Sequence, residues 1–277
     1  MDNLRFGISI KAVEEKDFES YKKAGVQELE LAFPSDRYDY LEWGKIKQRA
    51  ERYGIHLWSF HLPFLPFDKI NIASPSKEIR DFSVAYQSEL IKKAADIGIE
   101  NIIIHPSGEP NEEKDRAELL KYAQQSLVQL AELAGRCSAT IAVENLPRTC
   151  LGRNSKEINQ LILADDRLRV CFDTNHLLMQ PIKEFLLDVG DKIITTHFSD
   201  YDFVNERHWM PGEGKINWQE VIETLEAIGY SGPILYEVVW TPTSTIERRA
   251  LTCEDFKENY YLLKNKLPLF SIGKPLV

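Results

Sequence analysis

Short apolar runs alternate with longer amphipathic stretches along the chain. The runs are rich in β-branched and aromatic residues, which is typical of buried strands, and the stretches between them repeat apolar positions at helical spacing. This alternation predicts repeated strand-helix units and a parallel sheet. Eight predicted strands begin at Leu4, Val26, Ile55, Asn101, Thr140, Arg169, Ile193 and Pro233.

Eight units predict a closed (β/α)8 TIM barrel, an α/β fold that reaches the length of this chain, 277 residues, as one domain. Neither a Pro/Ser-rich linker nor an abrupt change in charge marks a boundary, so we expect a single domain over residues 1–277. A doubly wound open sheet is the alternative. The GxGxxG fingerprint that would support it is absent from the sequence.

Composition and charge limit the kinds of molecule that the protein is expected to bind. The net charge of -9 provides no general attraction to nucleic acid or to an anionic membrane, and favours a small-molecule substrate. The first residues, MDNLRFGISI, read directly into a strand and no apolar stretch is long enough for a membrane span, so we expect a cytoplasmic protein. The four cysteines form no CxxC pair, and we expect free, mostly buried thiols at Cys137, Cys150, Cys171 and Cys253.

Polar residues end six consecutive predicted strands. In a barrel of this type the carboxyl ends of the strands meet at one rim, where active sites form. A single buried histidine or carboxylate there is usually hydrogen-bonded to a loop, but a group of them is costly to bury without a compensating cation. The sequence therefore predicts a divalent-metal site at this rim, with possible ligands at His61, His105, Glu144, Asp173, His197 and Glu237.

The innermost set is expected to be Glu144, Asp173, His197 and Glu237. One nitrogen and three carboxylates suit Mn, Mg, Co or Zn, and the sequence does not choose among them. Further metal or substrate contacts are expected at five positions: His61, His105, His176, Glu206 and His208.

Other side chains near strand ends leave more than one interpretation. Glu30, late in the second strand, is expected to be a structural carboxylate. Phosphate binding and surface solvation both remain open for Arg148, Arg153 and Arg207. Stacking on a sugar and packing in the core both remain open for six aromatic residues: Phe33, Trp58, Phe64, Trp209, Tyr236 and Trp240.

Seven motifs, in order along the chain, resemble those of the xylose isomerase-like barrel superfamily, especially its sugar phosphate isomerase/epimerase branch. They are HLPF, IIIHPSG, AVENLP, CFDTNH, THFSDYD, HWMPGEGKINW and LYEVV. The resemblance implies a metal-dependent sugar or sugar-phosphate isomerase or epimerase that transfers a proton through a metal-stabilised enediolate. It implies that the innermost set holds the metal, that Glu144 and Glu237 are the acid/base pair, and that His176 contacts the substrate. Phe203 stands where ketose 3-epimerases carry an arginine, so the identity of the sugar stays open.

The chain also resembles endonuclease IV, whose nine ligands hold three zinc ions. All nine have counterparts here, with Glu206 in place of an aspartate. The runs LPFLPFDKINIAS and THFSDYD depart from the DNA-contact loops of that enzyme and argue against nucleic acid as a partner. Hydrolysis of a phosphodiester at an abasic site, a dehydratase and a non-catalytic sugar-binding barrel remain alternatives. The resembled enzymes are commonly dimers or tetramers, so a homo-oligomer is compatible with this family.

Overall fold

The predicted alternation of strands and helices is confirmed by the computed structural model, which describes residues 4–277. The strands of the main sheet are β1 (Phe6–Ile10), β2 (Glu28–Leu31), β3 (His56–His61), β4 (Asn101–Ile104), β5 (Thr140–Glu144), β6 (Arg169–Asp173), β7 (Ile193–His197) and β8 (Ile234–Tyr236). The helices are α1 (Glu15–Ala24), α2 (Trp43–Tyr53), α3 (Lys77–Asp96), α4 (Arg116–Arg136), α5 (Ser155–Ile162), α6 (Ile182–Val189), α7 (Trp218–Ala227) and α8 (Cys253–Lys264).

The sheet is parallel and follows the order of the chain from β1 to β7, with β8 paired to the free edge of β1. A bridge between Phe198 and Tyr236, just beyond the end of β7, brings that strand to β8 and leaves the barrel nearly closed. The predicted (β/α)8 architecture is therefore confirmed. The doubly wound alternative is wrong because β8 has a neighbour on each side.

The core has two parts. Most buried apolar side chains lie between the strands and the surrounding helices. A much smaller apolar group, Ile103, Ala142 and Cys171, lies separately and takes the alternate positions of its strands. The polar ends of the strands continue from this small group, so the carboxyl rim is built from charged and imidazole side chains.

Helix ends follow local sequence signals. Gly25 and Gly54, which follow α1 and α2, adopt left-handed backbone conformations that close the helices. At the other end of the chain, Thr252 and Asp255 form a reciprocal capping box at the start of α8.

Small departures from the prediction occur at strand ends. His105 and Glu237 each lie one residue beyond β4 and β8 rather than inside them. A short antiparallel pair, β9 (Ile246–Glu247) with β10 (Lys274–Pro275), was not predicted.

The cysteines are free, as expected, although only Cys150 and Cys171 are buried. Within residues 4–277, none of the helices combines the length and apolar composition needed to cross a bilayer.

Candidate metal centre

The six polar residues that end consecutive strands meet at the carboxyl rim. Glu144, Asp173 and His197 are the final residues of β5, β6 and β7, and all three side chains are buried. Glu237 follows β8 directly and is half-buried. These four residues, named the inner cluster, are the set expected from the sequence to lie innermost, and each places one possible ligand atom within 4.8 Å of the others.

Nδ1 of His197 is the point on which the three carboxylates of the inner cluster converge. It lies 3.1 Å from Glu144 Oε1, 3.4 Å from Glu237 Oε2 and 3.8 Å from Asp173 Oδ2. The two glutamates come from strands that β6 and β7 separate, so they reach this nitrogen from different parts of the rim.

The carboxylates of the inner cluster have unequal affinities for protons. Burial opposes ionisation of Glu144, but the neighbouring His197 and His105 outweigh it and hold the pKa of Glu144 well below its usual value. For Glu237 the same balance of burial against histidine charge lowers the pKa to about 2. Burial, together with the charges of Glu144 and Glu237, raises the pKa of Asp173 well above its usual value.

The inner cluster fits a divalent cation. In the described part of the chain, residues 4–277, no group donates a hydrogen bond to the buried Oδ2 of Asp173. Three carboxylates confined together repel one another, and an unpaired buried acceptor costs about 1–3 kcal/mol. A cation compensates both costs at once. The donor set, one imidazole nitrogen and carboxylate oxygens, is one that Mn, Mg, Co and Zn accept.

A second group of possible ligands consists of His61, His105 and Glu144, so it shares Glu144 with the inner cluster. Glu144 Oε2 lies 3.2 Å from His61 Nε2 and 3.1 Å from His105 Nε2, and one possible ligand atom of each residue lies within 4.8 Å of the others. The other ring nitrogen of His61 donates to the Leu62 carbonyl at 2.9 Å, which leaves Nε2 for the site. Phe64 stacks on the His105 ring, with centroids 4.0 Å apart.

The remaining predicted residues, His176, Glu206 and His208, form an outer layer. Nε2 of His176 lies 3.6 Å from Glu206 Oε2, and the rings of His176 and His208 are 5.7 Å apart. His208 Nδ1 lies 3.7 Å from Glu237 Oε2. Burial is the main cause that lowers the pKa of His176 to about 4 and keeps the imidazole neutral. All nine predicted residues therefore lie in one connected group.

The loop that carries Glu206 and His208 is held by Asp200. This buried carboxylate accepts hydrogen bonds from Gly212 N at 2.8 Å, Ile216 N at 3.1 Å and Trp218 Nε1 at 2.8 Å. A Cβ on Gly214 would lie 2.3 Å from the Asp200 carboxylate, so only glycine fits there. The motif HWMPGEGKINW thus encodes a folded loop at the rim.

Arginines near the rim are already paired with acidic residues. Arg148 binds Glu109, and its NH1 lies 3.0 Å from Glu206. The other two guanidinium groups are also occupied: Arg207 pairs with Asp202 at 2.7 Å, and Arg153 with Glu113. Of the two interpretations left open by the sequence, phosphate binding is not favoured by these contacts.

Two side chains have contacts that the sequence did not indicate. Asn145 forms hydrogen bonds with the main chain of Asp173. The sequence feature that could have identified it is its position directly after the glutamate of the AVENLP motif. Glu30 binds His197 rather than a neighbouring loop. Its signal is an acidic residue that alternates with leucines in a buried strand, ELEL.

A family model described as xylose isomerase-like TIM barrel matches residues 18–256. The chain belongs to this family. As a xylose isomerase-like TIM barrel it is similar in fold to a D-tagatose 3-epimerase-like protein, with a TM-score of 0.78, 22% identity, and coverage of 95% of this chain and 96% of that one.

Sequence relatives of this xylose isomerase-like barrel carry several descriptions. An uncharacterised protein of Methanocaldococcus jannaschii is 30% identical over 62% of each chain. D-psicose 3-epimerase of Ruminiclostridium cellulolyticum is 25% identical over 79% of this chain and 76% of its own. A probable endonuclease 4 of Acholeplasma laidlawii is 26% identical over 42% of this chain and 40% of its own.

The match to the first three curated relatives spans 62%, 64% and 59% of their lengths. Similarity to epimerases and to endonucleases therefore establishes the fold, while the chemistry has to be argued from the site.

Proposed function

We propose that the protein is a divalent-metal-dependent isomerase or epimerase of an unphosphorylated sugar. The observation that carries this proposal is the convergence of Glu144 and Glu237, from separated strands, on His197 Nδ1 at 3.1 and 3.4 Å. Two carboxylates from separated strands can serve a substrate carbon held between them, one as base and the other as acid.

The inner cluster would hold the metal ion. A divalent ion bound there supplies Lewis-acid polarisation of a substrate carbonyl, which makes the neighbouring C–H bond more acidic. Glu144 and Glu237 both have a lowered pKa, so each is a carboxylate at neutral pH and can accept the substrate proton. The other glutamate delivers to the substrate carbon a proton that it takes from water, and the first glutamate afterwards releases its proton to water. Asp173 and His197 would complete the ligand set of the ion, without a direct part in proton transfer.

Charge supports a neutral sugar over its phosphate. The site contributes several carboxylates, and the nearby Arg148, Arg153 and Arg207 already face acidic partners. A phosphate dianion would have to displace one of these pairs in order to gain a cationic partner. Phe64, stacked on His105, offers an apolar surface of the kind that packs on a sugar ring.

The test is turnover of a panel of free ketoses and aldoses, and of their phosphates, by metal-loaded protein in deuterated water. We expect conversion of a free sugar with one solvent deuteron at the rearranged carbon. Glu144→Gln and Glu237→Gln should each lower turnover by about 10²- to 10⁴-fold. Glu28→Gln is the matched control, because Glu28 contacts Arg5 and His56 rather than the inner cluster. Conversion without deuterium, or near-normal turnover in Glu144→Gln, would refute the mechanism.

A zinc phosphodiesterase is the second candidate. It is favoured by the second group of possible ligands, in which His61 and His105 share Glu144, because a centre of more than one metal ion suits phosphodiester hydrolysis. Incubation with duplex DNA that carries one abasic site separates the two candidates. Metal-dependent nicking at that site, with no sugar conversion, would replace the isomerase proposal.

A further inference from the structure

Glu30, expected from the sequence to be a structural carboxylate, is fully buried inside the barrel. Its side chain is 0% exposed. Ser59 Oγ donates to Glu30 Oε2 at 2.7 Å, and His197 Nε2 lies 3.0 Å from each of the two carboxylate oxygens, with the hydrogen bond to Oε2. A residue of β2 therefore reaches the ring of a residue of β7.

The pairing of β2 with β3 brings a hydroxyl group to this side chain. The register shifts between Leu29, which is paired with Leu57, and Glu30, which is paired with Ser59, so the residue passed over is Trp58 of β3. The shift places Ser59 rather than Trp58 opposite Glu30. Ser59 then occupies one lone pair of the carboxylate and holds its plane, while the rest of the carboxylate faces His197.

The two ring nitrogens of His197 face different groups. Nδ1 faces the three carboxylates of the inner cluster, and Nε2 faces Glu30 alone among its acidic neighbours within 4.0 Å in residues 4–277. A proton on Nε2, donated to Glu30, leaves the lone pair of Nδ1 directed into the inner cluster. The contact thus selects the tautomer that a metal ligand needs.

We infer that Glu30 is a positioning residue for the metal centre, which fixes the orientation and tautomer of His197 and makes its Nδ1 a stronger donor. This inference rests on the metal site of the proposed function and not on the identity of the sugar. Outer carboxylates that bind a ligating histidine act in this way in metalloproteins generally. The role is one of positioning, since Glu30 is fully buried and contacts the ring of His197.

Glu28 provides a matched control on the same strand. It is also a buried carboxylate of β2 and lies two residues earlier, on the same face of the strand. Its partners are Arg5, at 2.7 Å, and His56, at 2.6 Å, at the opposite end of the barrel. Replacing it by glutamine removes a buried charge without touching His197.

The experiment measures Mn²⁺ and Co²⁺ affinity by titration calorimetry on metal-free native protein, Glu30→Gln, Glu30→Ala and Glu28→Gln, with denaturant unfolding of each metal-free protein. We expect Glu30→Gln and Glu30→Ala to weaken binding by about 10- to 100-fold, with the alanine variant the weaker, and Glu28→Gln to bind like the native protein. A purely structural role would lower the stability of the metal-free protein and leave affinity unchanged. Native affinity in Glu30→Gln would overturn the inference, whereas a native protein that binds neither ion would overturn the metal site itself.

A measurement on the native protein covers the case in which these variants do not fold. Nitrogen-15 spectra of labelled imidazole groups in Zn²⁺-loaded protein identify which nitrogen of each histidine carries a proton. We expect His197, assigned by comparison with His197→Gln, to be protonated at Nε2 and metal-bound at Nδ1. The reverse assignment would overturn the inference.

Discussion

The side-chain amide of Asn145 is hydrogen-bonded at both ends to the main chain of Asp173. Asn145 Nδ2 donates to Asp173 O at 2.9 Å, and Asp173 N donates to Asn145 Oδ1 at 2.8 Å. Both residues are 0% exposed. The Asn145 carbonyl also accepts from His176 Nδ1 at 2.9 Å. The residue that follows one proposed metal ligand, Glu144, thereby fixes the backbone of the next proposed ligand, Asp173, and the orientation of a histidine.

Asn145→Ala should weaken both folding and metal binding. The substitution removes the Asn145 hydrogen bonds to the buried N–H and C=O of Asp173, and a buried polar group that loses its partner costs about 1–3 kcal/mol. We expect the free energy of unfolding to fall by about 3 kcal/mol and metal to bind less tightly, since Asp173 loses its fixed position. Denaturant unfolding of metal-free protein and calorimetry measure the two effects.

Asn217→Ala is the control for that experiment. Asn217 is exposed and caps α7 by accepting a hydrogen bond from Glu220 N. Its loss should cost about 1 kcal/mol of stability and leave metal affinity unchanged. If the two variants lowered metal affinity equally, the contact between Asn145 and Asp173 would have no specific part in the site.

Arg248→Met should destabilise the protein far more than an equivalent change on the surface. Arg248 NH1 lies 3.1 Å from Glu213 Oε2, and both side chains are 0% exposed. Removing the arginine leaves a buried carboxylate uncompensated, and such changes cost about 3–5 kcal/mol. Arg167→Met is the comparison, because Arg167 pairs with Asp165 but is 49% exposed, and should cost about 1 kcal/mol or less. Equal losses in urea unfolding would contradict this prediction.

Asp255→Asn should lose stability in a pH-dependent way. Hydrogen bonds from Arg249 are the largest cause that lowers the pKa of Asp255 from 3.8 to about 2. A carboxyl group whose pKa is lower in the folded protein than in the unfolded chain stabilises the fold at pH values above its unfolded-state pKa. This contribution is lost as the pH falls through its folded-state pKa.

We therefore expect a native-minus-variant difference of about 1 kcal/mol at pH 7, after discounting for the exposed Arg249. The difference should shrink below about pH 4, since both pKa values of Asp255 lie at or below that point. Unfolding curves at pH 7, 5 and 3.5 measure it. A difference that grew on acidification would show that Asp255 is not ionised in the native protein.

The order of the strands and the positions of the proposed ligands were predictable because both follow from local pattern. Apolar runs identify strands, and in a parallel barrel every strand ends at the same rim, so Glu144, Asp173 and His197 could be placed together without any knowledge of packing. The same rule explains why the small errors, at His105 and Glu237, are of one residue only.

Contacts between distant segments were not predictable in this way. Glu30 and His197 are 167 residues apart, and Arg248 and Glu213 are 35 apart. Such pairs depend on loop paths and on a register shift that the apolar pattern does not encode. Trp58, considered as a sugar-stacking aromatic, instead packs against Arg5 at 4.8 Å, toward the amino-terminal end of its strand. Tyr236 is buried and donates to Asn259 at 2.9 Å, so it belongs to the core.

The bridge between Phe198 and Tyr236 also links the mobility of the barrel to its chemistry. Phe198 N donates to Leu235 O at 2.8 Å and Glu237 N donates to Phe198 O at 3.1 Å, and His197 and Glu237 lie on the two sides of this junction. Where few main-chain bonds hold two strands, local opening is least costly. An opening here would separate two residues of the inner cluster, so a cation bound by both residues would oppose the opening. Amide hydrogen exchange at Phe198 and Glu237 should then slow on metal binding. The rate of local opening between these strands would therefore indicate whether the inner cluster holds a cation.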